Sequence, residues 1–119
     1  MHEMGLTRRM LAAALEQAER DHIAHIGAVE IEISPVSGIE ADEVRGCFEI
    51  ARAGTAAEGA ALTVQDMALK ARCRACGAEV AVSGPSDACA CGSVDLEIAP
   101  MPDWRLVAVE AGSPPPSSA

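Results

Sequence analysis

The chain has 119 residues, the size of one ordinary domain or of a small domain that carries a module. Eighteen acids against nine bases leave a net charge of −9, which argues against non-specific phosphate binding and against anionic membrane surfaces. Half of the residues are hydrophobic, but 24 are alanine and only 30 are Val, Ile, Leu, Met, Phe or Trp, so the core is thin and would gain from a staple such as a metal.

The N-terminal Met1-His2-Glu3-Met4-Gly5 lacks the basic and apolar regions of a signal peptide, and no apolar run approaches the roughly 18 residues that span a bilayer. A cytoplasmic location is expected, where paired cysteines more often bind metal than form disulfides. Residues 6–24 read as an amphipathic helix with Leu6, Met10, Leu15, Ala18 and His22 at helical spacing and Thr7 as its cap. Ala28 to Ile33 alternates as a half-buried strand, with Val29, Ile31 and Ile33 on one face and Glu30 and Glu32 on the other. Ser34-Pro35-Val36-Ser37-Gly38 ends it. A second helix is expected from about Glu40 to Ala53, with Glu40, Asp42 and Glu43 at the positive end of its dipole. Val44, Cys47, Phe48 and Ala51 form its apolar stripe and Gly54 stops it. Cys47 is thereby read as a small core residue. Ala60, Leu62 and Val64 alternate as a second strand, and Trp104 to Glu110 as a third. The tail from Gly112 to Ala119 has a disordered composition. The order predicts an α+β fold, a three-stranded sheet with two helices on one face, interrupted before its last strand by a self-contained excursion over residues 71–99.

That excursion contains Cys73-Arg74-Ala75-Cys76-Gly77 and, after a loop, Cys89-Ala90-Cys91-Gly92. Two close cysteine pairs separated by a loop are the sequence form of a zinc ribbon. Each pair puts two sulfurs on a tight turn where backbone amides can soften thiolate charge, and the glycine after it supplies permissive dihedrals. Four thiolates around a divalent ion make a closed tetrahedral site. The second pair has one intervening residue where a standard knuckle has two. Iron satisfies the same ligands, and a dithiol redox pair is the other alternative, although no βαβ pattern accompanies the cysteines.

Of the three histidines, His22 and His25 are read as a solvated or packed helix end. At His2 the amine of residue 1, the amide nitrogens of residues 2 and 3 and the imidazole can approach one plane. Such nitrogen sets suit Ni(II) and Cu(II) and suit zinc poorly; spacing alone does not separate this from an ordinary frayed terminus.

The chain resembles the HypA family of nickel metallochaperones for the nickel-iron hydrogenase site. The resemblance rests on Met1-His2-Glu3-Met4, Gly27 through Ser37 with Gly38-Ile39-Glu40, and Phe48-Glu49 leading to Gly54-Thr55-Ala56-Ala57-Glu58-Gly59-Ala60. It continues through the two cysteine pairs and Cys91-Gly92-Ser93 running into Leu96-Glu97-Ile98, and covers about residues 1–110. It implies a nickel domain over residues 1–70, completed by a third strand in 100–111, with a zinc ribbon inserted at 71–99 and a tail at 112–119. It further implies no enzymatic activity. Ni(II), carried and exchangeable, would be held by the Met1 amine, the His2 amide and side chain and the Glu3 amide, with the Glu3 carboxylate in supporting contacts. A structural Zn(II) would be held by Cys73, Cys76, Cys89 and Cys91. The implied partners are the HypB GTPase, the hydrogenase large-subunit precursor and, in some members, the urease maturation pathway; neither nucleic acid nor membrane is among them.

The sequence departs from the family in two places. Ala88 stands where the family's Cys-Pro-x-Cys knuckle has its first cysteine, with Cys89 one place later. No histidine follows His25, so a further nickel ligand that some relatives bring from near the zinc module has no counterpart unless His22 or His25 substitutes. The alternative function is a zinc-ribbon adaptor without nickel chemistry. Arg72 and Arg74 are the only clustered bases near the ribbon, and it has no aromatics, which weakens its nucleic-acid form.

Overall fold

The computed structural model describes residues 2–82 and 87–113, and of residue 2 the backbone alone. Met1 and residues 114–119 lie outside the described residues, and the disorder expected of the tail falls there.

The first helix, α1 (His2–Arg20), begins four residues earlier than expected. Glu3 in its first turn and Arg20 in its last complement the helix dipole, and its middle is rich in Ala and Leu. Thr7 is therefore not a cap but an interior residue, fully buried on the stripe formed with Met10, Leu11, Ala14 and Ala18. The helix also stops sooner. The Ile23 N–H donates to the Ala18 carbonyl at 2.8 Å and the His22 N–H to that of Glu19 at 3.2 Å, while His22 takes φ +57°. This is a Schellman cap with a histidine where glycine is usual. His22 thus serves the backbone, and the stripe expected to end on it ends on Ala18.

Strand β1 (Ile26–Ile33) follows, then α2 (Ala41–Ala51), whose first-turn Asp42 binds Arg45 at 2.7 Å. Val44 and Phe48 are its buried anchors. Strand β2 (Ala61–Asp66) pairs with β1 in parallel, Ala28 opposite Ala61 through Ile33 opposite Asp66. The β1–α2–β2 unit is thus a βαβ crossover, a pattern the sequence reading did not find. Its hydrophobic alternation is the same for parallel and antiparallel strands, so only the returning helix could have marked it.

The segment between α2 and β2 is closed by its own side chains. The Thr55 hydroxyl donates to the Arg52 carbonyl (2.7 Å) and accepts from the Ala57 N–H (3.0 Å), and the Glu58 carboxylate accepts from the Gly54 N–H (2.8 Å). The His25 ring bonds the Glu58 carbonyl at 3.0 Å, and the Ile26 N–H donates to Ala56, so the loop is sewn to the start of β1. The Gly-Thr-x-Ala-Glu-Gly stretch is accordingly a structural knot.

After β3 (Leu69–Cys73), β4 (Glu79–Val82) and β5 (Leu96–Ile98), the chain returns as β6 (Trp104–Ala111), antiparallel to β1. The first sheet has the order β2-β1-β6 and the second β4-β3-β5. The two helices cover the first sheet, and Phe48, Ile26, Ile31, Val29 and Val44 are fully buried between them. At the far end Gly27 and Gly112 cross so closely that a Cβ on Gly27 would lie 2.8 Å from the Gly112 Cα. None of β3, β4 or β5 packs against a described helix or strand of the first layer. The link is the Met67-Ala68 passage and the return over 99–103, held by Met67 N–H to Ile33 O (2.7 Å) and Ser34 N–H to Asp103 O (2.8 Å).

Candidate functional site

Strand β3 delivers Cys73 to the start of the first knuckle, and the turn after it carries Cys76. The Gly77 N–H donates to the Cys73 carbonyl at 2.8 Å, with Gly77 at φ +79°. In the second knuckle the Gly92 N–H donates to the Cys89 carbonyl, also at 2.8 Å, with Gly92 at φ +93°. The first bond spans four residues and the second three. The missing intervening residue is absorbed by a tighter turn that still ends on a left-handed glycine.

The four sulfurs of Cys73, Cys76, Cys89 and Cys91 lie within 4.8 Å of one another. Cys73 approaches Cys91 at 3.6 Å and Cys76 approaches Cys89 at 3.5 Å, each contact joining the two knuckles. A tetrahedral ion with bonds of about 2.3 Å requires sulfurs about 3.8 Å apart, so the cage fits a thiolate-bound divalent metal. Cys73 and Cys89 are buried, Cys76 and Cys91 exposed. The backbone N–H of Cys76 and, less strongly, that of Ala75 hold the Cys73 thiol down to about 6 against the opposing effect of burial. The Ala78 amide also favours the Cys76 thiolate, but the neighbouring sulfurs of Cys89, Cys73 and Cys91 outweigh it and push that thiol up to about 11. At Cys91 the Ser93 amide is likewise outweighed by Cys73 and Cys89, and the thiol is raised. The Cys73 thiolate forms readily here, while Cys76 and Cys91 resist ionising beside it. A cation removes that conflict.

Around the cage Arg74 reaches Glu97 (3.0 Å) and Asp95 (3.6 Å), and Lys70 reaches Glu79 (3.8 Å). These two bases are paired with acids within the ribbon.

The N-terminal residues lie at the opposite kind of place, the first turn of α1 against the start of α2. His2 opens the helix, and Met1 precedes the described residues. Glu3 shares a hydrogen bond with Glu43 from the first turn of α2; that bond and the like charge of Glu3 hold the Glu43 carboxyl above its ordinary range. Beside them, Glu3, Leu6, Arg9, Ser37, Gly38, Ile39 and Asp103 line a groove of about 300 Å³. The sequence reading noted Glu43 only as a dipole partner. Nothing in the spacing of residues forty apart signals that it meets Glu3. His22 and His25 lie at the other end of α1, so neither joins Glu3 there. Cys47 is half-buried on α2.

Comparison with known proteins agrees with this arrangement. Residues 1–111 match the family model described as "Hydrogenase/urease nickel incorporation, metallochaperone, hypA". A hydrogenase maturation factor HypA from a Nostoc species is 36% identical over 110 residues, covering 92% of this chain and 95% of that protein. The Rippkaea orientalis HypA is 40% identical over 99 residues, covering 82% and 84%. Among solved structures, the solution structure of the Ni metallochaperone HypA from Helicobacter pylori aligns with a TM-score of 0.65 at 20% identity, over 92% of this chain and 96% of that one. A second HypA solution structure gives 0.67 at 21%, over 93% and 96%. Both likenesses extend over nearly the whole fold. Matched along nearly its whole length by the family model and by relatives well above 30% identity, the chain belongs to the HypA family of hydrogenase and urease nickel-incorporation metallochaperones, which are maturation factors and not enzymes.

Proposed function

We propose that this chain binds Ni(II) at its N-terminus and delivers it during maturation of nickel-iron hydrogenase, acting in the cytoplasm with a HypB-type GTPase and the hydrogenase large-subunit precursor. The ligands are the Met1 amine, the His2 amide and imidazole, and the Glu3 amide. The observation that carries this reading is that α1 begins at His2. The amides of the first helical residues have no carbonyl four residues earlier to accept from them. Nickel can therefore replace protons on the His2 and Glu3 nitrogens without breaking a helical hydrogen bond. A nitrogen set of this kind favours Ni(II) over zinc. Its position at a chain end suits hand-over, since a partner can displace a few donors one at a time.

Zn(II) at Cys73, Cys76, Cys89 and Cys91 has a different task. A closed four-thiolate site leaves no position for a substrate, and its binding energy becomes folding energy for a module with few buried side chains. We accordingly assign residues 1–68 with 100–111 to the nickel domain and 69–99 to the structural ribbon, which starts two residues earlier than expected because β3 begins at Leu69. Cargo and staple then differ in donor chemistry, so loading one does not compete with the other.

The test is equilibrium dialysis against nickel of the chain beginning at Met1 and of the same chain with Gly-Ser placed ahead of Met1. The extension removes the amine from position and should abolish tight nickel binding while zinc content stays at one per chain. Equal nickel affinity in the two forms would remove the N-terminal assignment.

A further inference from the structure

Thr7 is fully buried, and its hydroxyl is the single buried side-chain oxygen or nitrogen without a hydrogen-bond partner among the described residues. A buried polar group in that state is uncommon and calls for a reason. Its place suggests one. Thr7 lies four residues after Glu3, on the same face of α1, and side chains on a helix lean toward its N-terminus. That puts Thr7 one helical turn from Glu3, whose carboxyl interacts with that of Glu43. A threonine in a helix commonly settles its hydroxyl on the carbonyl of the preceding turn; this one does not. Valine would fill the same volume without an unmet donor, so packing alone does not favour threonine.

We propose that Thr7 is a positioning residue for the cargo site: its hydroxyl donates to the Glu3 carboxylate in the nickel-loaded state and fixes the backbone of the third residue, whose amide nitrogen is a ligand. The inference rests on the N-terminal nickel reading above. Deprotonation of the Glu3 amide on binding makes the position of that residue decisive, and a buried donor one turn below it holds the carboxylate at no cost in solvent reorganisation. In the nickel-free chain the same hydroxyl is a defect in the core. Thr7 then improves binding at the expense of the stability of the unloaded form.

The experiment compares Thr7→Val, Thr7→Ser and Thr7→Ala in the chain beginning at Met1, using nickel competition with a chromophoric chelator, the visible absorption of the bound Ni(II), zinc content and thermal melting without nickel. Thr7→Val should bind nickel about tenfold more weakly, the loss expected for one hydrogen bond to a charged group. It should keep one zinc and melt no lower than the parent. Thr7→Ser should restore the affinity and the absorption spectrum. Thr7→Ala deletes the hydroxyl without adding bulk and keeps the test valid if valine disturbs the fold. Parental nickel affinity in either hydroxyl-free variant, or equal weakening in serine and valine, overturns the proposal. His2→Ala run alongside separates the two claims. If it too binds nickel normally, the terminus itself is the wrong site; if it loses nickel while Thr7→Val does not, only the role of Thr7 falls.

Discussion

At the scale of single residues, side chains that look alike in the sequence divide by the backbone they occupy. His22 is the left-handed cap of α1, a conformation that costs a non-glycine residue about 1 kcal/mol. Replacing His22 with glycine should leave nickel and zinc binding unchanged and raise stability by up to about 1 kcal/mol, less the extra entropy glycine loses on folding. Denaturant titration checks this, and a loss of nickel would assign His22 a ligand role. Glu58 belongs to the same class, since its carboxylate closes the loop from Gly54. Glu58→Ala should cost about 1 kcal/mol, a drop of about 4 °C in melting temperature, with metal binding intact. Both roles were hidden from the sequence. Threonine at position 7 fits a helix cap as well as it fits a buried interior site, and the choice between them was made by where α1 begins. The resemblance marked the Gly-Thr-x-Ala-Glu-Gly stretch but not the bonds from Thr55 and Glu58 that explain it.

At the scale of elements, long alternation was legible and short alternation was not. β1 and β6 each run eight residues with one apolar face, and both were read from the sequence within a few residues. β3, β4 and β5 are five, four and three residues long, within a segment where four cysteines sit among Ala, Gly, Ser and Asp. Their pairing is fixed by the knuckles they serve, and no period survives over so few positions. The four cysteines themselves were fully legible, because ligand spacing is a local property. Their protonation gives a directional prediction. The metal-bound cage carries four thiolates, whereas near neutral pH the metal-free cage keeps protons on Cys76 and Cys91, whose thiols are raised. Binding releases those protons, so affinity must rise with pH and fall in acid. Release of at least these two protons makes apparent zinc affinity fall by at least about a hundredfold per pH unit from 8 to 6. Below about 6 the Cys73 thiol is protonated as well, and the slope steepens. Chelator competition at pH 6, 7 and 8 measures it; a flat profile would exclude a thiolate cage. Cys73→Ser should lose both the metal and the ordered ribbon.

At the scale of the whole molecule, two layers meet at a narrow junction. Arg105 binds Glu32 at 2.6–2.7 Å beside a cavity of about 290 Å³ lined also by Met67, Lys70 and Met101. With no packing between described elements of the two sheets, loss of zinc should unfold the ribbon and spare the helical layer. Hydrogen exchange after chelation should show amides of β3 and β5 unprotected and those of β1 unchanged; loss of protection in β1 would mean the layers fold as one unit. The thin core implied by 24 alanines is unevenly placed, concentrated between α1, α2 and β1, and the ribbon has almost none. On the proposed function, cargo and staple are separate sites. This is tested most directly by measuring nickel and zinc together, by elemental analysis, in the chain beginning at Met1 and in its His2→Ala variant. About one nickel and one zinc per chain are expected in the first, and zinc alone, with an unchanged melting curve, in the second. Retention of nickel without His2, or loss of zinc with it, would contradict that reading.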